Sequence, residues 1–585
     1  MFDKEKALVE EKILDILTKN GIAASALIWS WIPFSGHWGL ATSFFKIASE
    51  NAQYKSDLPV PKRAEEITDL IQKNLALPKE FEKIEAVKGY LNLYFNSGVY
   101  SRKIVQMVFE DGDHFGEGSA EQTIMVEYSQ PNTHKAFHVG HLRNMVLGNS
   151  VCRILEHAGN RVIKANYIGD IGLHVIKWLW NYMNYHQAEV PPENGKTHWM
   201  GNIYSEAIRR LEENPDLEIQ VRDLFKLWDD GDPDITSLWQ KTRAWSLEAF
   251  ADIYKLLGIE FDKVYFESEV EHSGKEIVQQ LIDRGIAKDE RPDGAVVVDI
   301  DEILGVENQY RVAVILRSDG TSLYSTKDLS LAIKKFQEFN LDQSVYVIDV
   351  RQSLYMKQIF KIIDLLKYPW AEKCYHLAYE IVNLPGNVTI ASREGTVVLL
   401  EDLIAEAEKR ANAVVEIKNP ELDSDLKIMV ARKIALGALK YSLLSRDNTK
   451  VITFDWDTAM DVNGQAAPYI QYAYVRANSI LKKVHFSIPP DEDFGYTLSE
   501  QEIELINMFS QFPQEVERAA KDMRPLLIAN FAYEIAKTFS SFYNMCPVLN
   551  AEPGIRNFRL RLVAAARQVI AISLGLLGID VPDVM

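Results

Sequence analysis

Glu127-Tyr128-Ser129-Gln130-Pro131-Asn132-Thr133-His134-Lys135-Ala136-Phe137-His138-Val139-Gly140-His141 is the run whose reading decides the fold. It follows Thr123–Tyr128, a short apolar strand. It precedes residues 141–158, whose Leu142, Met145, Val146, Val151, Ile154 and Leu155 share one helical face and which Gly159 ends. Arg161–Ile168 reads as the next strand and 172–186 as the next helix. A strand–helix–strand crossover of this length is the right-handed unit of a parallel sheet. In such a sheet, the loop after a strand and the N-terminus of the following helix face phosphates beyond the strand ends. His138-x-Gly140-His141 suits a nucleotide there. Gly140 lets an adenine or ribose approach the backbone. His138 and His141 can donate hydrogen bonds to a triphosphate as charge grows on the bridging oxygen. HxGH alone is a weak pattern, and two histidines that only cap a helix are the alternative. The strand before, the helix after and Lys135 upstream favour the nucleotide.

The same grammar resumes downstream, with strands near 310–316, 344–349 and 375–382 and helices at 326–339 and 353–367. Between the two stretches, 190–290 is mostly helical, rich in Trp and acid, and reads as an insertion between two halves of one sheet. Residues 1–19 and 62–75 are amphipathic helices, and 84–95 alternates like two strands around Gly89, which makes a small α+β module. Glu110–Ser119 is a polar, Gly-rich linker. After 423 the chain is helical, at 425–446, 468–484, 499–520, 523–545 and 555–577. The expected organisation is an α+β domain over 1–115, an α/β parallel-sheet domain over 120–420 carrying the insertion, and an all-α bundle over 423–585.

At 585 residues the chain exceeds one core. With 47% hydrophobic and 25% charged residues it is neither disordered nor a disulfide scaffold. Cys152, Cys374 and Cys546 form no CxxC pair, so neither zinc nor a disulfide framework is expected, and a reducing, cytoplasmic setting fits them. No run of about 18 apolar residues suggests a membrane span. The N-terminus lacks an apolar signal core. A net charge of −19 excludes a uniformly basic nucleic-acid binder but not a local basic face. One such stretch is 427–450, net +5, with Lys427, Arg432, Lys433, Lys440, Arg446 and Lys450. Residues 468–484 add Arg476, Lys482 and Lys483 among Tyr469, Tyr472 and Tyr474. Cations beside aromatics suit phosphate neutralisation and base stacking. Solvated helix faces with core tyrosines are the alternative.

Glu-Tyr-Ser-Gln-Pro-Asn-x-x-Lys-x-x-His-Val-Gly-His-Leu-Arg resembles the "HIGH" region of class I aminoacyl-tRNA synthetases, specifically the arginyl-tRNA synthetase family. In the same order, Asn166-Tyr167-Ile168-Gly169-Asp170-Ile171-Gly172 looks like that family's NHVGDWG. Ser318–Asp328 looks like its SDGxxxYxTxD, Asp349-Val350-Arg351-Gln352 like its DxRQ, and Gly575–Pro582 like its GLxLLGIxxP tail. These matches run from about 84 to 585 and are specific as a set.

The resemblance implies an N-terminal domain touching the tRNA elbow, a Rossmann-type catalytic domain and a helical anticodon-binding domain. It implies arginine, ATP with Mg2+, and tRNA(Arg) as partners, without zinc or membrane, and a monomer is expected. It places Glu127, Tyr324 and Asp328 at the guanidinium, which wants carboxylates in fork geometry. It places Asn132, His141 and Gln352 near the α-amino and carboxylate groups. His138, Gly140, His141 and Asp349 would take ATP, Asp349 through the ribose hydroxyls. Lys433, Lys440, Arg476, Tyr469 and Tyr472 would meet tRNA. Bland alternatives exist: Gln352 as a helix cap, Asp170 as a turn holder. Three departures stand out. Tyr355 replaces the histidine of DxRQxxHF, and His37-Trp38-Gly39-Leu40-Ala41-Thr42 replaces GDYAT. Thr389-Ile390-Ala391-Ser392-Arg393 carries neither lysine of KMSKS, so Lys135, with Arg393, is expected to brace the triphosphate, opposed by Glu394. The other readings are a different class I synthetase or a non-catalytic tRNA-binding relative.

Overall fold

Ile124-Met125-Val126 and Val345-Tyr346-Val347 are unbroken apolar runs, the pattern of strands covered on both faces, and all six side chains are buried. They belong to a parallel five-stranded sheet in the computed structural model, which describes residues 2–384, 388–389, 399–485, 487 and 495–585. The strands are β1 (Thr123–Glu127), β2 (Arg161–Ile168), β3 (Lys263–Phe266), β4 (Gln343–Asp349) and β5 (Cys374–Tyr379). Their spatial order is β5-β4-β1-β2-β3, every pair parallel. The chain winds from β1 outward to β3, then returns to β4 on the other side of β1. The carboxyl ends of β1 and β4 therefore diverge, and this reversal opens a crevice at the strand ends. Five helices serve this sheet: α1 (Val139–His157), α2 (Pro233–Leu257), α3 (Glu267–Asp283), α4 (Tyr324–Glu338) and α5 (Ser353–Leu365).

Two expectations are corrected. The stretch 190–290 is not one helical insertion. Lys263–Phe266 is the edge strand of the parallel sheet, and α3 packs on α4. The helices Lys196–Glu213 and Glu218–Asp229 with α2 enclose a core of their own around Trp178, Trp180, Met200 and Val221. The strand near 310–316, Val312–Leu316, lies outside the parallel sheet. It pairs antiparallel with Val296–Asp299 in a separate three-stranded sheet. A four-residue edge strand covers too little surface to show a period, which is why β3 was hidden in a helical context.

By backbone packing the chain forms two compact units. One comprises residues 116–475, 513–533 and 571–585, and holds the parallel sheet with α6 (Ser424–Leu444). The other comprises 1–115, 476–512 and 534–570. It contains an antiparallel sheet in the order 29–31, 39–43, 90–95 and 81–87. The linear blocks 1–115, 120–420 and 423–585 therefore do not coincide with packing: the late helices divide between both units. Trp38 shows the cause. It is buried, its ring stacks on Tyr100 with centroids 4.5 Å apart, and its Nε1 donates to Asn507 Oδ1 at 3.1 Å. The departure from GDYAT at Trp38 is thus an internal packing residue of that unit.

Asp170 ends the Gly169-Asp170 turn after β2 and is fully buried. It accepts from the Ser268 amide at 3.0 Å and hydroxyl at 2.7 Å, and Arg243 Nε lies 2.8 Å away. It ties α2 and α3 to the sheet, the bland reading of that residue. Asp170→Ala would leave Arg243 and Ser268 without their partner and should cost ~3–5 kcal/mol of unfolding free energy, read by urea denaturation.

Candidate active site

The loop after β1 adopts a backbone that few side chains favour: Ser129, Gln130 and His134 have φ of 75°, 48° and 63°. Side chains from neighbouring elements hold it there. Asn144 Oδ1 of α1 accepts from the Ser129 amide at 2.5 Å, and Asn166 Oδ1 of β2 accepts from the Gln130 amide at 3.1 Å. Ser246 Oγ accepts from the His134 amide at 2.9 Å. His134 is buried between Thr133 and Thr242, a structural histidine. The Asn132 side chain lies against Gly169, where a Cβ would come within 2.3 Å of Asn132 Oδ1. A side chain at 169 would displace the asparagine.

This loop, α1 and the ends of β1 and β4 line a cavity of about 660 Å³. Glu127, Asn132, His138, Gly140, His141, Tyr324, Asp328, Asp349 and Gln352 all face it. Lys135 does not; it lines a smaller adjoining hollow that shares Asn132, His138 and His141, with its ammonium 4.9 Å from the Tyr204 ring centroid. Residues 390–398, including Arg393 and Glu394, are outside the described residues. Glu267, Arg143, Arg351, Tyr355 and Tyr379 also line the main cavity, though the sequence reading assigned them no role there.

His138 and His141 do cap α1. His138 Nδ1 accepts from the Gly140 amide at 3.0 Å, and His141 Nδ1 accepts from the His138 amide at 3.1 Å. An acceptor Nδ1 leaves the proton on Nε2, so each neutral ring keeps one donor. Burial and the nearby Lys135 keep them neutral: His138 is pushed down to about 4, and His141 is held well below the ordinary imidazole range. Gly140 also makes room for this cap. A Cβ there would meet the His138 ring at 2.8 Å.

The charge arrangement is the informative feature. Glu127 and Lys335 are both buried, with Oε2 and Nζ 2.5 Å apart. Glu267 and Lys327 form a second buried pair. Asp328, between them, has no cationic partner among the described residues; it accepts only from the Tyr355 hydroxyl, at 2.5 Å. Three carboxylates meet two lysines, and Asp328 is the one without a lysine of its own. Burial, with Glu127 and Glu267 adding to it, pushes Asp328 up to about 7. Spacing could have exposed part of this, since Asp328 and Lys335 are seven residues apart on one helix face. Glu267, distant in sequence, left no signal.

Other placements are mixed. Tyr324 is 61% exposed at the cavity mouth. Gln352 lies at the start of α5 with no side-chain cap bond, so it does not serve as a cap. Asp349 faces the cavity with both oxygens forked by Arg351, at 2.8 Å each, and Oδ2 keeps a lone pair for a further donor. Arg143 is fully buried, and no guanidinium nitrogen has a hydrogen-bond partner among the described residues. Burial lowers it to about 10.

The basic stretch is divided: Lys427 and Lys440 are buried, whereas Arg432, Arg446 and Lys450 are exposed. Lys440 is corrected as a surface contact: it is buried, its Nζ donates to Leu257 O at 2.8 Å and Gly578 O at 2.5 Å, and burial pulls it down to about 8. Lys433 donates to Val581 O at 3.1 Å. On α7 (Ala467–Lys483), Tyr472 is exposed, Tyr469 rests 5.5 Å from Tyr533, and Arg476 lies over the Tyr543 ring at 4.8 Å. Lys482 and Lys483 are exposed.

Known proteins resemble this chain along most of its length. Residues 103–456 match the family model of class I tRNA synthetases (R), catalytic domain, and 470–585 match the DALR anticodon binding domain. The chain is 33% identical over 525 residues to an arginine–tRNA ligase of Clostridium botulinum, covering 89% of this chain and 90% of that one. It is 32% identical over 552 residues to one of Bacteroides thetaiotaomicron, covering 89% and 90%. The solved Thermus thermophilus arginyl-tRNA synthetase is similar with a TM-score of 0.77 at 27% identity, over 99% of this chain and 100% of that one.

The sign of the Asp328 shift has a stability consequence. Its folded-state value lies above the ordinary carboxylate value, so its stabilising contribution is complete below about pH 4 and is lost as pH rises through about 7. Asp328→Asn should leave the unliganded protein no more stable than wild type at pH 4. At pH 8 it should be more stable by ~2–4 kcal/mol, read as the midpoint shift in denaturant melts at both pH values.

Proposed function

The chain belongs to the arginyl-tRNA synthetases of class I, and from that membership we propose which of its own residues perform the ligation. It is an arginine–tRNA ligase that uses ATP. The observation that carries the proposal is the unpaired Asp328 between two lysine-paired carboxylates. A guanidinium supplies the missing positive charge and offers donors in a plane, which Asp328, Glu127 and the Tyr324 hydroxyl accept. A neutral side chain in that wall would leave Asp328 uncompensated.

With the guanidinium held there, Asn132, His141 and Gln352 take the α-amino and carboxylate groups. In the first step the arginine carboxylate attacks the α-phosphorus of ATP and the bond to pyrophosphate breaks, which forms arginyl-adenylate. The neutral rings of His138 and His141 donate from Nε2 to the phosphate oxygens, and Gly140 opens the backbone beside them. Arg143 and Lys135 supply positive charge beside the phosphates, Lys135 with Arg393 from the segment that lacks KMSKS lysines. Mg2+ arrives with ATP, held by its phosphates. Among the described residues no cluster of three or more His, Cys, Asp or Glu is placed to hold a metal ion. In the second step the 2′-hydroxyl of the terminal tRNA adenosine attacks the adenylate carbonyl and AMP leaves. Positioning and charge stabilisation suffice for both steps.

For tRNA(Arg), the exposed Lys482, Lys483 and Tyr472, with Arg476 and Tyr469 on the same helix, are the proposed anticodon-side contacts. The antiparallel-sheet module is the proposed elbow contact. Three free thiols, two of them buried, fit a reducing cytoplasm, and no described helix is long and apolar enough to cross a membrane. A monomer completes the reading.

Aminoacylation of total tRNA with a labelled amino-acid panel should charge arginine alone. Asp328→Ala should raise the arginine KM by two orders of magnitude or more, ~3–5 kcal/mol, and leave the ATP KM within twofold. Charging of a second amino acid, or equal losses for both substrates, would refute the assignment of Asp328.

The triphosphate side has few cations in sequence reach, so activation is proposed to await the tRNA acceptor end. ATP–pyrophosphate exchange with arginine should be negligible alone and strong with cognate tRNA, and Lys135→Ala should abolish it. Each charge contact at the transition state is worth ~3 kcal/mol, about a hundredfold in rate. Brisk exchange without tRNA refutes the gating.

A further inference from the structure

Tyr355 stands in the first turn of α5, where the family pattern Asp-x-Arg-Gln-x-x-His-Phe has histidine. Its hydroxyl donates to Asp328 Oδ2 at 2.5 Å, and this is the hydrogen bond that Asp328 receives from another element among the described residues. The charged and titratable groups around Asp328 come from every side: Glu127 on β1, Tyr167 on β2, Glu267 on α3, Tyr346 on β4, and Tyr324 and Lys335 on α4 itself. The cations are already engaged, Lys335 with Glu127 and Lys327 with Glu267. The phenol is what remains for Asp328.

We infer that Tyr355 is the positioning residue of arginine recognition in this chain: its hydroxyl fixes the Asp328 carboxylate toward the cavity and favours the ionised form that a guanidinium needs. The inference rests on Asp328 as the guanidinium carboxylate. A hydrogen bond donated to a carboxylate stabilises its anion against burial and against the two neighbouring carboxylates. The Tyr355 side chain also lines the cavity, so it orders the arginine wall from the ligand side. A phenol has a particular merit here. Burial, with Asp328 itself, raises the Tyr355 hydroxyl well above its ordinary value, so it stays a neutral donor throughout the physiological range. An imidazole at the same place gains and loses a charge between about pH 5 and 8, and when charged it competes with the substrate for Asp328. Tyr355 therefore leaves the carboxylate's single negative charge to arginine and makes recognition less dependent on the protonation of a neighbour.

The test measures kcat/KM for arginine and for ATP in full aminoacylation with total tRNA, from pH 6 to 9, for wild type, Tyr355→Phe, Tyr355→His and Asp328→Asn. Tyr355→Phe should raise the arginine KM about tenfold to a hundredfold at pH 7, with kcat and the ATP KM little changed. The deficit should shrink toward pH 9, because the acid limb of the arginine profile moves to higher pH. Tyr355→His, which retains a donor, should lie closer to wild type. The inference is overturned if the Tyr355→Phe profile runs parallel to wild type, if arginine and ATP constants suffer equally, or if the histidine variant does no better than phenylalanine. Should Tyr355→Phe fold poorly, the same comparison between wild type and Tyr355→His decides: an additional ionisation between pH 6 and 8 in the arginine profile alone supports the inference, and its absence overturns it. An unchanged arginine KM in Asp328→Asn refutes the guanidinium reading itself, a result separate from any outcome at Tyr355.

Discussion

A buried charge imbalance organises the site. Glu127 at the end of β1 and Glu267 at the start of α3 are each neutralised by a lysine of α4, Lys335 and Lys327. Asp328, on that same helix, is left with a phenol. A carboxylate in a low-dielectric wall without a cation is costly in the unliganded protein, and a proton or a cationic ligand relieves that cost. Under the proposed function specificity follows from that cost, because a ligand that brings no positive charge does nothing to relieve it. The lysine pairs matter as much as the free carboxylate. Without them three anions would face the ligand, and the wall would favour protons over a guanidinium.

The sheet makes this juxtaposition possible. β1 and β4 are neighbours whose connections run in opposite directions, so the loop with the two histidines and the loop with Asp349, Arg351 and Gln352 open on the same crevice. The strained turn after β1 is stable because Asn144, Asn166 and Ser246 accept from its amides. Those three side chains come from a helix, a strand and the inserted helices, so the insertion buttresses the loop before α1 as well as forming its own core. Asp170 ties that insertion to the sheet. The histidines cap their own helix through Nδ1 and in doing so leave the proton of each neutral ring on Nε2.

The basic helix shows the opposite case, a pattern whose composition misleads. Lys427, Lys433 and Lys440 of α6 look like a phosphate-binding surface. Each instead donates to a backbone carbonyl, and Lys427 also pairs with Glu416. Long cationic side chains serve well as inward cross-links, because the methylenes pack and the ammonium reaches carbonyls at chain ends. Composition cannot separate that use from a solvated face, since both place lysines at similar spacing.

Sequence alone determined the parts whose signal is local. Apolar runs marked β1, β2 and β4, the 3.6-residue period marked α1, α4 and α5, and the HxGH loop between β1 and α1 carries its chemistry in consecutive residues. The helices after 423 were legible for the same reason, and so was the arginyl resemblance, because its motifs are short and ordered. Tertiary structure decided what depends on distant partners. It placed Lys263–Phe266 in the parallel sheet and Val312–Leu316 outside it, because edge pairing has no local period. It divided the late helices between two packing units. It brought Glu267 beside Lys327, 60 residues away, and Tyr355 beside Asp328, 27 residues away. A helix or strand is set by neighbours in sequence. The charge of a site is set by neighbours in space, and only folding supplies those.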